Sequence, residues 1–361
     1  LLFTWIGNHW FDAGIAAAMV LNICEPHMTG LGGDCFALVQ PREGADIIGL
    51  NASGRAPASA NAAALRAAGR TGIASDSADA VTMPGAVDGL LRLIEDYGHI
   101  GRDRVLAPAI HYAESGLPIA PRVAQDWGES WDDLRGHGRR FYLKNGKPFA
   151  AGDRFAAPRQ AEVLRRIAAQ GRAGFYEGEV ADDLVSSLRA LGGGHSLDDL
   201  ASVRADYVAP VATRYRGTEL VELPPNGQGA AALLLANILG HFDFAGMDPV
   251  GTTRTHILAE ASKLAYDARN RFVTDPAHMD TRLSHMLAPE TAARLAALIS
   301  PKAVLPLPTP PLEAVHKDTV YLTVVDKNRM ALSLICSIFS RFGSGQASEK
   351  FGILFHDRGT G

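Results

Sequence analysis

The chain has 361 residues, 47% apolar and 20% charged, with 35 Lys and Arg against 39 Asp and Glu for a net charge of −4. That length fits one large domain or two ordinary ones, and the composition excludes disordered, collagen-like and disulfide-scaffold chains. No basic excess exists to neutralise a phosphate backbone, which argues against nucleic acid as a partner. The longest apolar stretches, residues 14–24 and 229–239, fall well short of the about 20 residues of a membrane span, so both read as buried helices and no membrane partner is expected.

In chain order, residues 11–23 form an Ala-rich apolar helix that Glu25-Pro26 breaks. Thr29-Gly30-Leu31-Gly32-Gly33-Asp34 is a glycine turn, Cys35 to Val39 a buried strand, and residues 46–50 a second strand, which together suggest a hairpin in an antiparallel sheet. Helical spacing marks residues 86–97, 104–114, 161–169 and 181–191. A short strand at 221–223 runs into the tight turn Pro224-Pro225-Asn226-Gly227-Gln228-Gly229 ahead of the buried helix, and residues 256–272 form another helix. Five prolines between Pro301 and Pro311 make an extended linker. Residues 319–326 and 331–338 are β-branched and apolar around the turn Lys327-Asn328-Arg329, a predicted hairpin, and residues 352–355 form one more short strand. A helix-rich middle between strand-rich ends defines an α+β protein.

Three cysteines, Cys24, Cys35 and Cys336, stand far apart in apolar company and read as small core residues rather than disulfides or metal ligands. The twelve His residues form no local ligand cluster, so no metal and no cofactor are expected. Walker, HExxH, GxSxG and post-strand GxGxxG signatures are lacking, and the glycine turn at 29–34 reads as structural rather than as a phosphate cradle. Thr319 sits between the Pro-rich linker and the start of a strong strand. Taken alone it is an ordinary strand residue. A nucleophilic role needs a base and oxyanion donors. Scission of the preceding bond supplies the base, because a freed α-amine has a reference pKa of about 7.7–8.0.

Residues 12–39, 81–116, 222–229 (ELPPNGQG) and 319–345 resemble the γ-glutamyltransferase family of N-terminal-nucleophile hydrolases, with separate motifs in the family's order along nearly the whole chain. The resemblance implies a four-layer αββα sandwich, here incomplete at the C-terminal end. It also implies a precursor that cuts itself at Asp318–Thr319, leaving residues 1–318 as the large-subunit region and 319–361 as the start of the small subunit. Thr319 is then the nucleophile, its free amine the base, and Ser337 stands where the family has a second Thr that orients the amine. The substrate is a small γ-glutamyl or related acyl amide, with water or an amine as acceptor, handled by a heterodimer of the two subunits.

Departures from the family pattern matter as much. The family's carboxylate-binding Arg aligns with Ser53 without a gap and with Arg55 if a gap is allowed, and a bidentate Arg is the natural partner of a substrate carboxylate. The pocket Asn falls on Phe339, the Gln on Arg358, and the Asp that meets the substrate α-amine on Gly361. Phe and Arg there favour acyl groups lacking an α-ammonium, whose desolvation they do not offset. The alternatives to a γ-glutamyltransferase-like enzyme are therefore a cephalosporin or glutaryl-type acylase on the same scaffold, or a non-catalytic truncated relative. The stretch from Thr319 onward is several times shorter than small subunits of the family. It lacks the region where the family keeps paired Ser and Gly-Gly oxyanion donors. The chain starts at Leu1 without Met or a signal peptide. It is expected to be a soluble, cytoplasmic or periplasmic fragment cut at both ends, inactive by itself.

Overall fold

The computed structural model describes residues 9–279, 282–306 and 319–360. Asp318, Gly361 and most of the Pro-rich linker lie outside the described residues. The main elements in chain order are helix α1 (Trp10–Cys24), strands β1 (Asp34–Gln40) and β2 (Ile48–Ala52), and helices α2 (Ala86–Tyr97), α3 (Arg102–Ser115), α4 (Pro121–Ser130), α5 (Pro158–Gln170) and α6 (Gly178–Ala190). Strands β3 (Asp206–Val208), β4 (Val211–Tyr215) and β5 (Thr218–Glu222), helices α7 (Gly229–Leu239) and α8 (Thr252–Phe272), and strands β6 (Val320–Val325) and β7 (Ala331–Ser337) follow. The chain divides into two compact units: Leu1–Asp46, Leu50–Asp206 and His316–Gly361 in one, Ile47–Gly49 with Tyr207–Val315 in the other.

Strands pair in a five-stranded sheet of order β3-β2-β1-β7-β6, of which β1, β7 and β6 lie in the first unit. β7 runs antiparallel to both β1 and β6, with Cys35 across from Cys336 and Val320 across from Cys336. Alternate residues of a strand point to opposite faces, and burial follows that period: Cys35, Ala37, Val39, Leu332, Leu334 and Cys336 are buried together. Helices α1 and α2 cover this face. A Cβ on Gly14 of α1 would stand 2.9 Å from Val324 and 3.1 Å from Leu332, and one on Gly89 of α2 would stand 2.7 Å from the Cys35 sulfur. The opposite face carries Asp34, Ser337 and, along β6, the exposed Tyr321 and Val325. Among the described residues, the α+β sandwich is thus represented by helices on one face of one sheet.

The glycine turn before β1 allows close backbone approach. A Cβ on Gly33 would sit 2.2 Å from the Ser337 carbonyl oxygen, and one on Gly32 2.0 Å from that of Leu354, so neither position accepts a side chain without moving backbone. After β7 the chain loops back beneath the sheet. The Ile338 N–H donates to Met28 O and the Phe342 N–H to His27 O. Phe342 then docks in an aromatic cluster around Trp127, edge-on at 5.6 Å between centroids, with Phe149 at 5.1 Å and Phe155 at 5.2 Å. Edge-to-face aromatic packing of this kind adds about 0.5–1.5 kcal/mol per pair beyond area burial, which anchors the 338–357 segment.

The second unit pairs α7 with α8 through Leu234, Ile238, Ile257 and Leu264, beside the β4–β5 hairpin. No helix among the described residues is long and apolar enough to cross a membrane.

Three expectations are corrected. Residues 352–355 form only an isolated bridge, Ala347 with Leu354, because the backbone is turned by Gly352 at φ +66° and bonded locally to Ser348. The second strand runs from Ile48 to Ala52, two residues later than its pattern suggests. Cys24 is half-buried near the end of α1 rather than in the core.

Candidate active site at the head of strand β6

The register of β6 against β7 continues one residue outward from Val320, which sets Thr319 opposite Ser337; Ser337 in turn faces Asp34 on β1. Residues directly opposite in adjacent strands share a face, so Thr319, Ser337 and Asp34 form one row across three strands on the side away from α1 and α2. Thr319 is exposed and Ser337 is buried. Their hydroxyls lie 3.0 Å apart, a hydrogen bond in which either donates. The Ser337 oxygen also accepts the Phe339 N–H at 2.8 Å, which leaves its own proton available for Thr319. Ser337, expected to meet the Thr319 amine, here meets its hydroxyl.

Behind this pair lies a charged assembly that sequence reading missed in part. Asp34 is fully buried and is gripped by Arg358 through Nε at 2.5 Å and Nη2 at 2.7 Å. This is the planar two-point pairing that guanidinium geometry favours. His356, also fully buried, places Nδ1 3.7 Å from Asp34 and takes the Thr82 carbonyl as acceptor for Nε2 at 2.8 Å. Burial alone raises the Asp34 carboxyl; the Arg358 guanidinium and the nearby His356 outweigh it and hold the group below the usual carboxylate range. The Arg358 guanidinium also lies 4.4 Å over the ring of Phe339, a cation–π contact. Phe339 is itself buried, at φ +78°.

Phe339 and Arg358, expected as substrate contacts, lie against each other, with the guanidinium committed to Asp34 and the ring packed against it. Ser53 is buried and its N–H bonds to the Asn51 side chain. Arg55 is exposed, and its guanidinium makes no ion pair among the described residues; its carbonyl accepts the Met83 N–H. The sequence signal for the Asp34–Arg358 pair was an acidic residue entering a buried strand straight after Gly-Gly, which needs a cation. The identity of that cation, 324 residues away, was not local information. Asp357 fixes the loop by accepting the Ser340 N–H at 2.9 Å.

The site thus places an exposed hydroxyl, Thr319, at the head of a strand on an α+β scaffold of helices over an antiparallel sheet. Residues 6–361 match the family described as gamma-glutamyltranspeptidase, and the chain belongs to that family. It is 34% identical over 357 residues to the glutathione hydrolase-like YwrD proenzyme of Bacillus subtilis, covering 98% of this chain and 67% of that one. It is also 34% identical over 367 residues to the oxamate amidohydrolase proenzyme of Klebsiella pneumoniae, again covering 98% and 67%. The cephalosporin acylase of Bacillus halodurans superposes with a TM-score of 0.88 at 34% identity, over 98% of this chain and 65% of that structure. The γ-glutamyltranspeptidase of Helicobacter pylori shares the fold, with a TM-score of 0.76 at 24% identity, over 85% of this chain and 90% of that one. The chain spans about two thirds of the length of the curated relatives it matches.

Proposed function

We propose that these residues belong to an amidohydrolase and acyltransferase that splits its own chain at Asp318–Thr319 and then uses Thr319 as nucleophile. The Thr319 hydroxyl attacks the Asp318 carbonyl, and the peptide becomes an ester with release of the Thr319 α-amine. Water hydrolyses the ester, giving a large chain ending at Asp318 and a small chain starting at Thr319. In turnover the same hydroxyl attacks a substrate amide while the α-amine takes its proton and passes it to the leaving amine. Water or an amine acceptor then releases the acyl group.

The observation that carries this reading is the 3.0 Å hydrogen bond between Thr319 and Ser337 at the exposed head of β6. Relatives named as proenzymes support self-processing.

On the acyl side, the Phe339–Arg358–Asp34 assembly favours a substrate without an α-ammonium. With the Asp34 carboxylate already committed to Arg358, an α-ammonium placed beside that guanidinium and the Phe339 ring is desolvated without a free anion to pair with. Arg55, exposed and unpaired among the described residues, is the candidate for a substrate carboxylate. The preferred substrates are monoamides of small dicarboxylic acids, in keeping with the acylase and oxamate amidohydrolase among the relatives. Comparing glutaryl and γ-glutamyl anilides with the full-length gene product tests this. Glutaryl turnover at least tenfold faster, lost in Thr319→Ala, is expected. A strong preference for the γ-glutamyl compound refutes the substrate assignment, and unchanged turnover in Thr319→Ala refutes the nucleophile.

A further inference from the structure

At the start of α1, the structure gathers three metal-binding side chains that are remote from the Thr319 row in sequence. His9 precedes the helix, Asp12 lies in its first turn, and His99 lies in the turn between α2 and α3. Their candidate ligand atoms all fall within 4.8 Å of one another. The two imidazoles are stacked, with centroids 5.4 Å apart and planes inclined by 22°. His99 Nδ1 lies 3.8 Å from Asp12 Oδ2. We propose that His9, Asp12 and His99 form a binding site for a divalent transition-metal ion of the zinc class, which clamps the start of α1 to the α2–α3 turn.

Burial contrasts sharply within the trio. Asp12 is fully buried, whereas the His99 side chain is 66% exposed. Among the described residues, the hydrogen bonds to the Asp12 carboxylate come from one donor, the His99 N–H, shared between Oδ1 at 3.1 Å and Oδ2 at 3.0 Å. A carboxylate has about four acceptor sites, so the buried Asp12 side chain keeps acceptor capacity beside the two exposed imidazoles. The backbone bond also holds the carboxylate in place, as groups around metal ligands do. Gly98 makes this approach possible, since a Cβ there would stand 2.8 Å from Asp12 Oδ1 and 2.4 Å from the Ile94 carbonyl oxygen.

The ligand chemistry selects the ion. Two imidazoles and one carboxylate suit zinc, copper, nickel or cobalt, whereas calcium and magnesium demand oxygen-rich shells. Tetrahedral zinc with bonds of about 2.0–2.1 Å holds its ligand atoms about 3.3 Å apart. The trio reaches that spacing by rotation of the exposed rings, with the fourth position left to water. Local spacing showed nothing of this, because His99 is 87 residues from Asp12.

The test uses the tag-free chain, stripped with chelator and titrated calorimetrically with zinc. Cobalt is substituted in parallel, and its visible absorption reports the coordination geometry. Asp12 is avoided because its loss threatens the fold, so His9→Ala, His99→Ala and the double variant are compared with wild type. One equivalent of zinc is expected in wild type, with affinity falling about tenfold or more in each single variant and absent in the double. Tetrahedral cobalt absorption is expected to disappear in parallel. Wild-type affinity in the double variant, or no stoichiometric zinc uptake by wild type, overturns the proposal.

Discussion

Replacing Arg358 with Ala strips a fully buried carboxylate of its guanidinium. The lost contacts are two short charge-assisted bonds to Asp34, at 2.5 and 2.7 Å, and the cation over the Phe339 ring. Each such bond contributes about 1.5–3 kcal/mol, and leaving the partner charge buried and unpaired costs about 3–5 kcal/mol in all. Arg358→Ala is therefore expected to lose about 3–5 kcal/mol in urea unfolding at neutral pH. Asp34→Asn leaves a partly exposed Arg358 that water can still reach, and is expected to cost about half as much. The double variant removes both charges and should be more stable than Arg358→Ala, giving a coupling of about 2 kcal/mol or more.

The pH dependence carries a sign that checks the cause. In wild type the folded Asp34 carboxyl is held low, so its contribution is present above its unfolded value and is lost as pH falls through the folded one. Without Arg358, burial raises the group, so the variant recovers relative to wild type as the pH is lowered. A loss below about 1 kcal/mol, or additivity within about 0.5 kcal/mol, rules out a buried Asp34–Arg358 pair of this strength.

Ser337→Ala removes the partner of the Thr319 hydroxyl and the acceptor of the Phe339 N–H; chain splitting is expected to slow about five- to thirtyfold, for about 1–2 kcal/mol, whereas Ser337→Thr stays within a few-fold of wild type, as a time course of precursor loss on gels shows. His195 is buried with Nε2 on the Val81 carbonyl and, among the described residues, no partner for Nδ1, and burial lowers its pKa. The unfolded chain then binds the extra proton, so stability falls as pH drops below about 6.5, by up to about 1.4 kcal/mol per pH unit. Unfolding of His195→Gln should show a shallower decline, and an identical pH profile contradicts this assignment. The Cys24 thiol is pushed up to about 12 by burial and by Glu25, and Cys35 is raised by its hydrogen bond with Cys336 and by burial. Iodoacetamide at about pH 8 should label the native chain at well under one site, against three after denaturation, because thiolate is the reactive form. Rapid uptake of a full equivalent by folded protein, read by mass spectrometry, contradicts it.

The parts of the fold legible in the sequence were those with strong local period. The helix over residues 86–97 was placed at its true bounds, and the 320–337 hairpin was found, because β-branched runs flank a short polar turn. Thr319 and Ser337 were singled out from their matches to family positions, and strand register then explains why they meet. What escaped was held by non-local partners. Asp34 reads as the last residue of a turn until Arg358 arrives from the far end of the chain, and His99 reads as a loop histidine until Asp12 takes its N–H. The short segment 352–355 looked like a strand because it is apolar, yet its hydrogen bonds close on Ser348 and Gln346 within its own loop. Pattern reports burial; it does not report which polar group a buried chain will answer.

Catalysis by this route requires Thr319 to become an N-terminal residue. Expressing the full-length gene product and determining the chain termini by mass spectrometry and N-terminal sequencing tests it most directly. Two chains are expected, the smaller beginning Thr319-Val320-Tyr321, with Thr319→Ala remaining a single chain. A wild-type protein that hydrolyses amides while its peptide chain stays whole at that position contradicts the account.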